Sequence, residues 1–339
     1  IMEIRSFGNH KGQEVFLYVL QNESIKVSVM NLGATLVGFE HLGSGTDIVL
    51  GFEDAQGYLT QHNSFLGATV GRCANRIGKG QFSLNGINYQ VPVNNGPNSL
   101  HGGNDVFSFK VFEAETCEDG IVFRYVSEDG EEGYPGKLEL QITYKLVGDE
   151  LHYEIDAQSD ADTICNITNH VYFNLDGPEG KDVLEHVVYV PADKVALNDA
   201  DSLATDEVID VKGTAFDFTK PTKVGDNLKI GHPNITLARG FDHNYVYEVM
   251  GDKLMATLSN GKLKLTVSSD LPDMHVYSGN WLDGQCKGKK DNWYDDKGGI
   301  CFECQYYPNA INYDRFIKPI LHKDEKMHHH IIWKIEEEK

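Results

Sequence analysis

The feature that most constrains this chain is a period-two alternation of apolar and polar residues, broken by short turn signals. From Leu138 to Leu146, Leu138, Leu140, Ile142, Tyr144 and Leu146 alternate with Glu139, Gln141, Thr143 and Lys145. Such a segment can bury one face only as a strand. Gly148-Asp149 follows, then Leu151, Tyr153, Ile155 and Ala157 resume the alternation, so the pair predicts a hairpin. Phe82 and Leu84 lead through Asn85-Gly86 to Ile87, Tyr89 and Val91, and Asn260-Gly261 precedes Leu263, Leu265 and Val267. Both carry the Asn-Gly pair favoured in type I′ turns. No apolar stripe at helical spacing exceeds about three turns. Strands must therefore build nearly everything: the fold class is all-β, a large antiparallel β-sandwich with few short helices.

With 339 residues the chain suits two ordinary domains or one large β domain. No linker, low-complexity segment or fixed-period repeat divides it, so a single domain over 1–339 is expected. The polar stretch Lys287 to Lys297 reads as a surface loop and Glu336-Glu337-Glu338 as a solvated tail. Asp and Glu number 51 against 30 Lys and Arg, a net charge of −21. That balance repels nucleic acid and anionic lipid, so neither is expected as a partner. Six scattered cysteines read as free thiols. Ile1 to His10 lacks the apolar run of a signal peptide, and no stretch reaches the length of a membrane span. A cytoplasmic protein is expected, monomer or homodimer.

In Asn166 to Asn174, Ile167, Val171 and Phe173 share one parity, while Asn166, Thr168, His170, Tyr172 and Asn174 share the other. A polar strand face carrying a histidine beside an aromatic ring suits a sugar-binding cleft, though on pattern alone a solvated face or a satisfied core histidine is the commoner explanation. Near the C-terminus Glu303 falls between Phe302 and Cys304 in an otherwise apolar strand. If buried, its pKa rises toward that of a useful base; on an edge strand it simply faces water. His101 lies in the glycine-flanked loop Asn98-Ser99-Leu100-His101-Gly102-Gly103, and Asp242-His243 follows Arg239-Gly240-Phe241. Alone, such turns are better explained by structure than by function. Gly71-Arg72-Cys73-Ala74-Asn75-Arg76-Ile77 sets two arginines four apart, one of them open to a hydroxyl-binding or pairing role. Cys301 and Cys304 have Cys-x-x-Cys spacing without a second pair, which is no persuasive zinc or redox motif. His328-His329-His330 reads as part of a terminal strand.

In their order, Gly71 to Ile77, Asn98 to Gly103, Thr168 to Leu175, Gly240 to His243, Tyr277-Ser278-Gly279-Asn280 and Phe302 to Gln305 resemble the motifs of the aldose 1-epimerase (galactose mutarotase) family. The resemblance runs from about Leu66 to Arg315. It implies a galactose mutarotase-like supersandwich that interconverts the α and β anomers of free hexoses such as D-galactose and D-glucose, with no cofactor and no metal. It implies His170 as general acid and Glu303 as general base, with Asn75, Arg76, His101, Tyr172 and Asp242 toward the sugar. One departure touches recognition: His275 stands where many relatives have Gln, and Ser278 where they have Thr. Three rivals remain at this level. A hexose-6-phosphate 1-epimerase would show a cationic cluster, a glycosidase would use Asp242 and Glu303 as its two carboxylates, and a non-catalytic sugar-binding protein would bind without turnover.

Overall fold

The computed structural model describes every residue except Ile1, His62 and Asn63. Its frame is a nine-stranded sheet that includes Glu113–Cys117, Gly120–Ser127, Leu138–Val147, Glu150–Ser159, Met327–Glu337, Leu263–Ser269 and Lys253–Ser259 as successive neighbours. Two five-stranded sheets accompany it. One holds the N-terminal strands from Met2–His10 to Thr46–Asp47; the other runs in the order Ala204–Asp210, Lys194–Asn198, Asp242–Val246, Asp273–Tyr277, Cys301–Gln305. The pairings within these sheets are antiparallel. Three α-helices, Ala55–Thr60, Val224–Ile230 and Pro233–Ala238, are found among the described residues, none longer than two turns.

The predicted alternation sets the packing. In Leu138–Val147 and Glu150–Ser159, Ile142 faces Ile155, Tyr144 faces Tyr153 and Leu146 faces Leu151 across the ladder. All six enter one core that also takes Val27 and Phe39 from the N-terminal sheet and Tyr245, Met274, Val276 and Phe302 from the other. Each such side chain contributes about 1.5–3 kcal/mol when fully removed from water. Two apolar sheet faces thus close on a third, which makes the sandwich.

Turn chemistry agrees with the sequence at one Asn-Gly pair and not at the other. Asn85 and Gly86 both take positive φ, 53° and 76°, as a type I′ turn requires. At Asn260-Gly261 only the glycine does, at φ 82°, so that turn is not type I′. Asn260 Oδ1 instead accepts from the amides of Lys262 and Leu263, holding a longer loop.

Two surface expectations are corrected. The Lys287 to Lys297 stretch is pinned rather than loose: Lys289 is buried with Nζ on Asp47 (2.7 Å) and the Val49 carbonyl, and Tyr294 donates its hydroxyl to the Gly51 carbonyl. Glu336 and Glu337 are not tail but strand, paired opposite Lys264 and Leu263. His328, His329 and His330 lie on that terminal strand as expected, each beside a carboxylate: Asp156, Asp270 and Asp252 respectively. None of the six cysteines is in a disulfide, and Cys301 and Cys304, three apart on a strand, face opposite sides. No helix among the described residues is long and apolar enough to cross a membrane.

Candidate active site

Three adjacent strands of the second five-stranded sheet present the site. Register pairs Asp242 with Tyr277, Asn244 with His275, and His275 with Glu303. Met274, Val276, Phe302 and Cys304 point into the core. By the pleat, His275, Tyr277 and Glu303 point the other way, into a cleft of about 320 Å³. The parity predicted for Glu303 holds, and it is buried there at 1% exposure rather than lying at a wet edge.

His170 arrives from a separate segment. Its amide donates to the Ala68 carbonyl and its carbonyl accepts from Gly67, while Phe173 bridges to Val49 and Ile300. Only Thr168–Asn169 within 166–174 is regular strand. Ile167, Val171 and Phe173 enter the core as predicted. The polar parity is not one open face, however. Thr168 donates to the Cys304 carbonyl and Asn166 accepts from the Tyr306 amide, so they fasten the segment down. His170 and Tyr172 are the two that reach the cleft. Tyr172 lies against His170, ring centroids 5.1 Å apart, and donates its hydroxyl to the Ser64 carbonyl.

The eight residues expected at the site, His170, Glu303, Asn75, Arg76, His101, Tyr172, Asp242 and His275, all line this cleft. His170 Nε2 stands 3.5 Å from Glu303 Oε1. Burial lowers the His170 pKa to about 4, and burial with the Asp242 charge pushes the Glu303 carboxyl well above its usual range, against the pull of Arg76. Burial also acts to raise Asp242, but His275, Arg76 and His243 outweigh it and hold this carboxyl well below the ordinary range. His275 Nε2 is 2.6 Å from Asp242 Oδ1.

His101 shows how the loop prepares a donor. Its φ is 52°, and its Nδ1 accepts from the Asn75 amide at 3.0 Å. A neutral ring whose Nδ1 accepts must carry its proton on Nε2. Burial, helped by His170 and Arg76, keeps it neutral by lowering its pKa well below the usual value. His101, His170 and Glu303 bring donor atoms within 4.8 Å of one another, as a metal trio would. With its proton on Nε2, His101 offers that group a hydrogen rather than a lone pair, which suits a hydroxyl oxygen better than a cation.

The two arginines separate cleanly. Arg72 is buried and donates to the carbonyls of Ser127, Glu128, Pro135 and Gly136 and to the Ser127 and Thr163 hydroxyls. Arg76 lines the cleft, its Nε on Asn95 and one terminal nitrogen on the Ser202 carbonyl. It is the one Lys or Arg among the described lining residues.

Sequence reasoning left out Phe65, Asn95, Ser202, Tyr277 and Trp281, which also line the cleft. Tyr277 opens the Tyr277-to-Asn280 motif and Trp281 follows it, which was the available signal. Trp281 is half exposed, with the Arg239 guanidinium 4.3 Å from its ring centroid. Phe65, at φ 56°, packs between His101 and His170 from a segment with no readable pattern.

The sequence profile described as aldose 1-epimerase matches residues 17–334. The chain belongs to the aldose 1-epimerase family. The galactose mutarotase of Sus scrofa is 39% identical over 323 residues, covering 93% of this chain and 92% of that protein. The aldose 1-epimerase of Escherichia coli K12 is 32% identical over 319 residues, 91% of each. Among solved structures, galactose 1-epimerase from Lactobacillus acidophilus NCFM superposes with a TM-score of 0.88 at 30% identity, covering 100% of this chain and 99% of that one. The family's enzymes are isomerases, and the activity of this member is aldose 1-epimerisation, on the sandwich that the alternation predicts.

Proposed function

We propose that this epimerase interconverts the anomers of D-galactose and D-glucose, with Glu303 as general base and His170 as general acid. The observation that carries the assignment is the buried His170–Glu303 approach at 3.5 Å on the floor of the cleft. The two oxygens that exchange protons in mutarotation are both bonded to C1, so acceptor and donor must stand this close.

Glu303 takes the proton from the C1 hydroxyl while the His170 imidazolium gives one to the ring oxygen. The bond from C1 to the ring oxygen breaks and leaves an aldehyde. Rotation about C1–C2 presents its other face. Reversed transfers close the ring as the other anomer and return both groups to their starting states. Throughout, the pair holds a single proton: on His170 with the closed sugar, on Glu303 with the open one. Burial favours the second, uncharged distribution, because it lowers the His170 pKa to about 4 and raises that of Glu303. The dry site thereby stabilises the state that follows ring opening. Each transfer typically supplies about 10²- to 10⁴-fold.

His101, donating through Nε2, together with Asn75, Arg76, Tyr172, Asp242 and His275, is assigned to the sugar hydroxyls. A single tethered Arg76 supports a free hexose over a phosphorylated one. We further read 1–339 as one catalytic domain acting in the cytoplasm as a monomer or homodimer. Six cysteines outside any disulfide support a reducing compartment. The test is a pair of variants: Glu303→Gln and His170→Asn should each lower kcat by at least about 10²-fold with an unchanged circular-dichroism spectrum. Near-normal turnover in either removes the corresponding role.

A further inference from the structure

The His275–Asp242 pair is part of the cleft, yet neither group takes part in the proton transfers above. Asp242, His275 and Glu303 stand on three neighbouring strands, with His275 directly across from Glu303 and two residues along its strand from Tyr277, the partner of Asp242. An imidazole therefore separates two carboxyl groups in a nearly dry place: the side chains of Asp242, His275 and Glu303 are 13%, 5% and 2% exposed. His275 commits Nε2 to Asp242 at 2.6 Å. Its Nδ1 and Glu303 Oε1 are both buried without a hydrogen-bond partner.

We propose that His275 is a positioning residue that binds the Asp242 carboxylate and takes its charge off Glu303, so setting the pH range in which the His170–Glu303 pair holds its one working proton. The proposal rests on the acid–base reading above. Other groups bear on the same carboxylates. Arg76 faces both from its own segment, but its guanidinium is shared with Asn95 and Ser202. His243 meets Asp242 from the far side, its Nδ1 occupied by the Asp242 amide. His101 and His170 flank the cleft, and the Tyr277 and Cys301 groups are pushed by burial far above neutral pH. His275 is thus the ring that contacts Asp242 on the side toward Glu303. Without its donor, the Asp242 charge would act unpaired on both proton-holding groups; a negative charge raises the pKa of a carboxyl and of an imidazolium alike. Asp242 bears on Glu303 and on His170 in that same upward direction.

The experiment is the pH profile of kcat for mutarotation of galactose in the wild type, His275→Leu, His275→Gln, Asp242→Asn and the His275→Leu/Asp242→Asn double variant. His275→Leu should move both limbs to higher pH by about one unit, a roughly tenfold loss on the acid limb that recovers as pH rises. His275→Gln, which keeps an N–H donor, should stay closer to the wild type. The double variant, which lacks the Asp242 charge, should reverse the His275→Leu shift and match Asp242→Asn, with a raised KM because both side chains line the cleft. If His275→Leu does not fold, Asp242→Asn alone decides: with the charge removed, both limbs should move to lower pH. Unmoved limbs with a uniform loss of rate, or a change in KM alone, would overturn the proposal and leave His275 as packing or as a sugar ligand with no hold on the proton pair. Full activity in Glu303→Gln, measured alongside, would instead overturn the acid–base reading, so the two failures are distinguishable.

Discussion

Arg72 and Arg76 sit four residues apart, and the structure gives them separate work that one pair of substitutions can tell apart. The Arg72 guanidinium satisfies four carbonyls and two hydroxyls, drawing together the 127–128, 135–136 and 163 segments. Replacing it with Leu leaves these acceptors facing apolar carbon. A buried group left unpaired costs about 1–3 kcal/mol, and breaking a buried charged network about 3–5 kcal/mol in all, since the individual losses do not add. Against a total stability of about 5–15 kcal/mol, Arg72→Leu should forfeit a large share of the fold. Urea unfolding followed by tryptophan fluorescence should show the midpoint fall, and Arg72→Lys, whose three N–H donors sit on one nitrogen for six spread acceptors, should recover only part of it. Arg76→Leu should leave the midpoint nearly in place and raise KM. A loss below about 1 kcal/mol for Arg72→Leu, or an equal loss for Arg76→Leu, would refute the separation.

The carboxyl groups of buried Asp273 and half-buried Glu248 are hydrogen-bonded to each other. Asp273 accepts from the amides of Tyr247 and Glu248 and from Asn244, and Glu248 accepts from the Ile317 amide. Burial, then the Asp273 charge, raises Glu248 to about 7; burial raises Asp273 to about 6. A raised carboxyl stabilises the fold below its unfolded pKa, and that contribution is lost as pH climbs through the folded value. Thermal melts should therefore fall between about pH 4 and 7 in the wild type, and Glu248→Gln should flatten this slope; an unchanged slope would contradict the proton sharing. Asn85→Ala puts an alanine at φ 53° and removes the bond to Asp162, so it should cost about 1–2 kcal/mol in the same urea assay.

What could be read from the sequence follows from the range of the forces involved. The 138–157 hairpin was legible because its alternation and its turn are local. Glu303 stood out because strand parity set a carboxylate among apolar neighbours, and the ordered motifs implied the roles proposed for it and for His170. Contacts between remote segments were not legible. Lys289 meets Asp47 across 242 positions, which a polar stretch cannot announce. Arg72 and Arg76 look alike until the 127–136 and 202 segments arrive to claim them. Asn166 and Thr168 matched a cleft-facing parity, yet the Cys304 and Tyr306 backbone takes them first. The Asn260-Gly261 turn departed from type I′ because the Asn260 side chain found two amides to hold.

The most direct measurement is polarimetry of freshly dissolved α-D-galactose with and without the protein, with Glu303→Gln alongside. The expected result is a faster approach to the same final rotation with the wild type and the uncatalysed rate with the variant. No acceleration by the wild type with either galactose or glucose, or equal acceleration by both proteins, would contradict the His170–Glu303 mechanism.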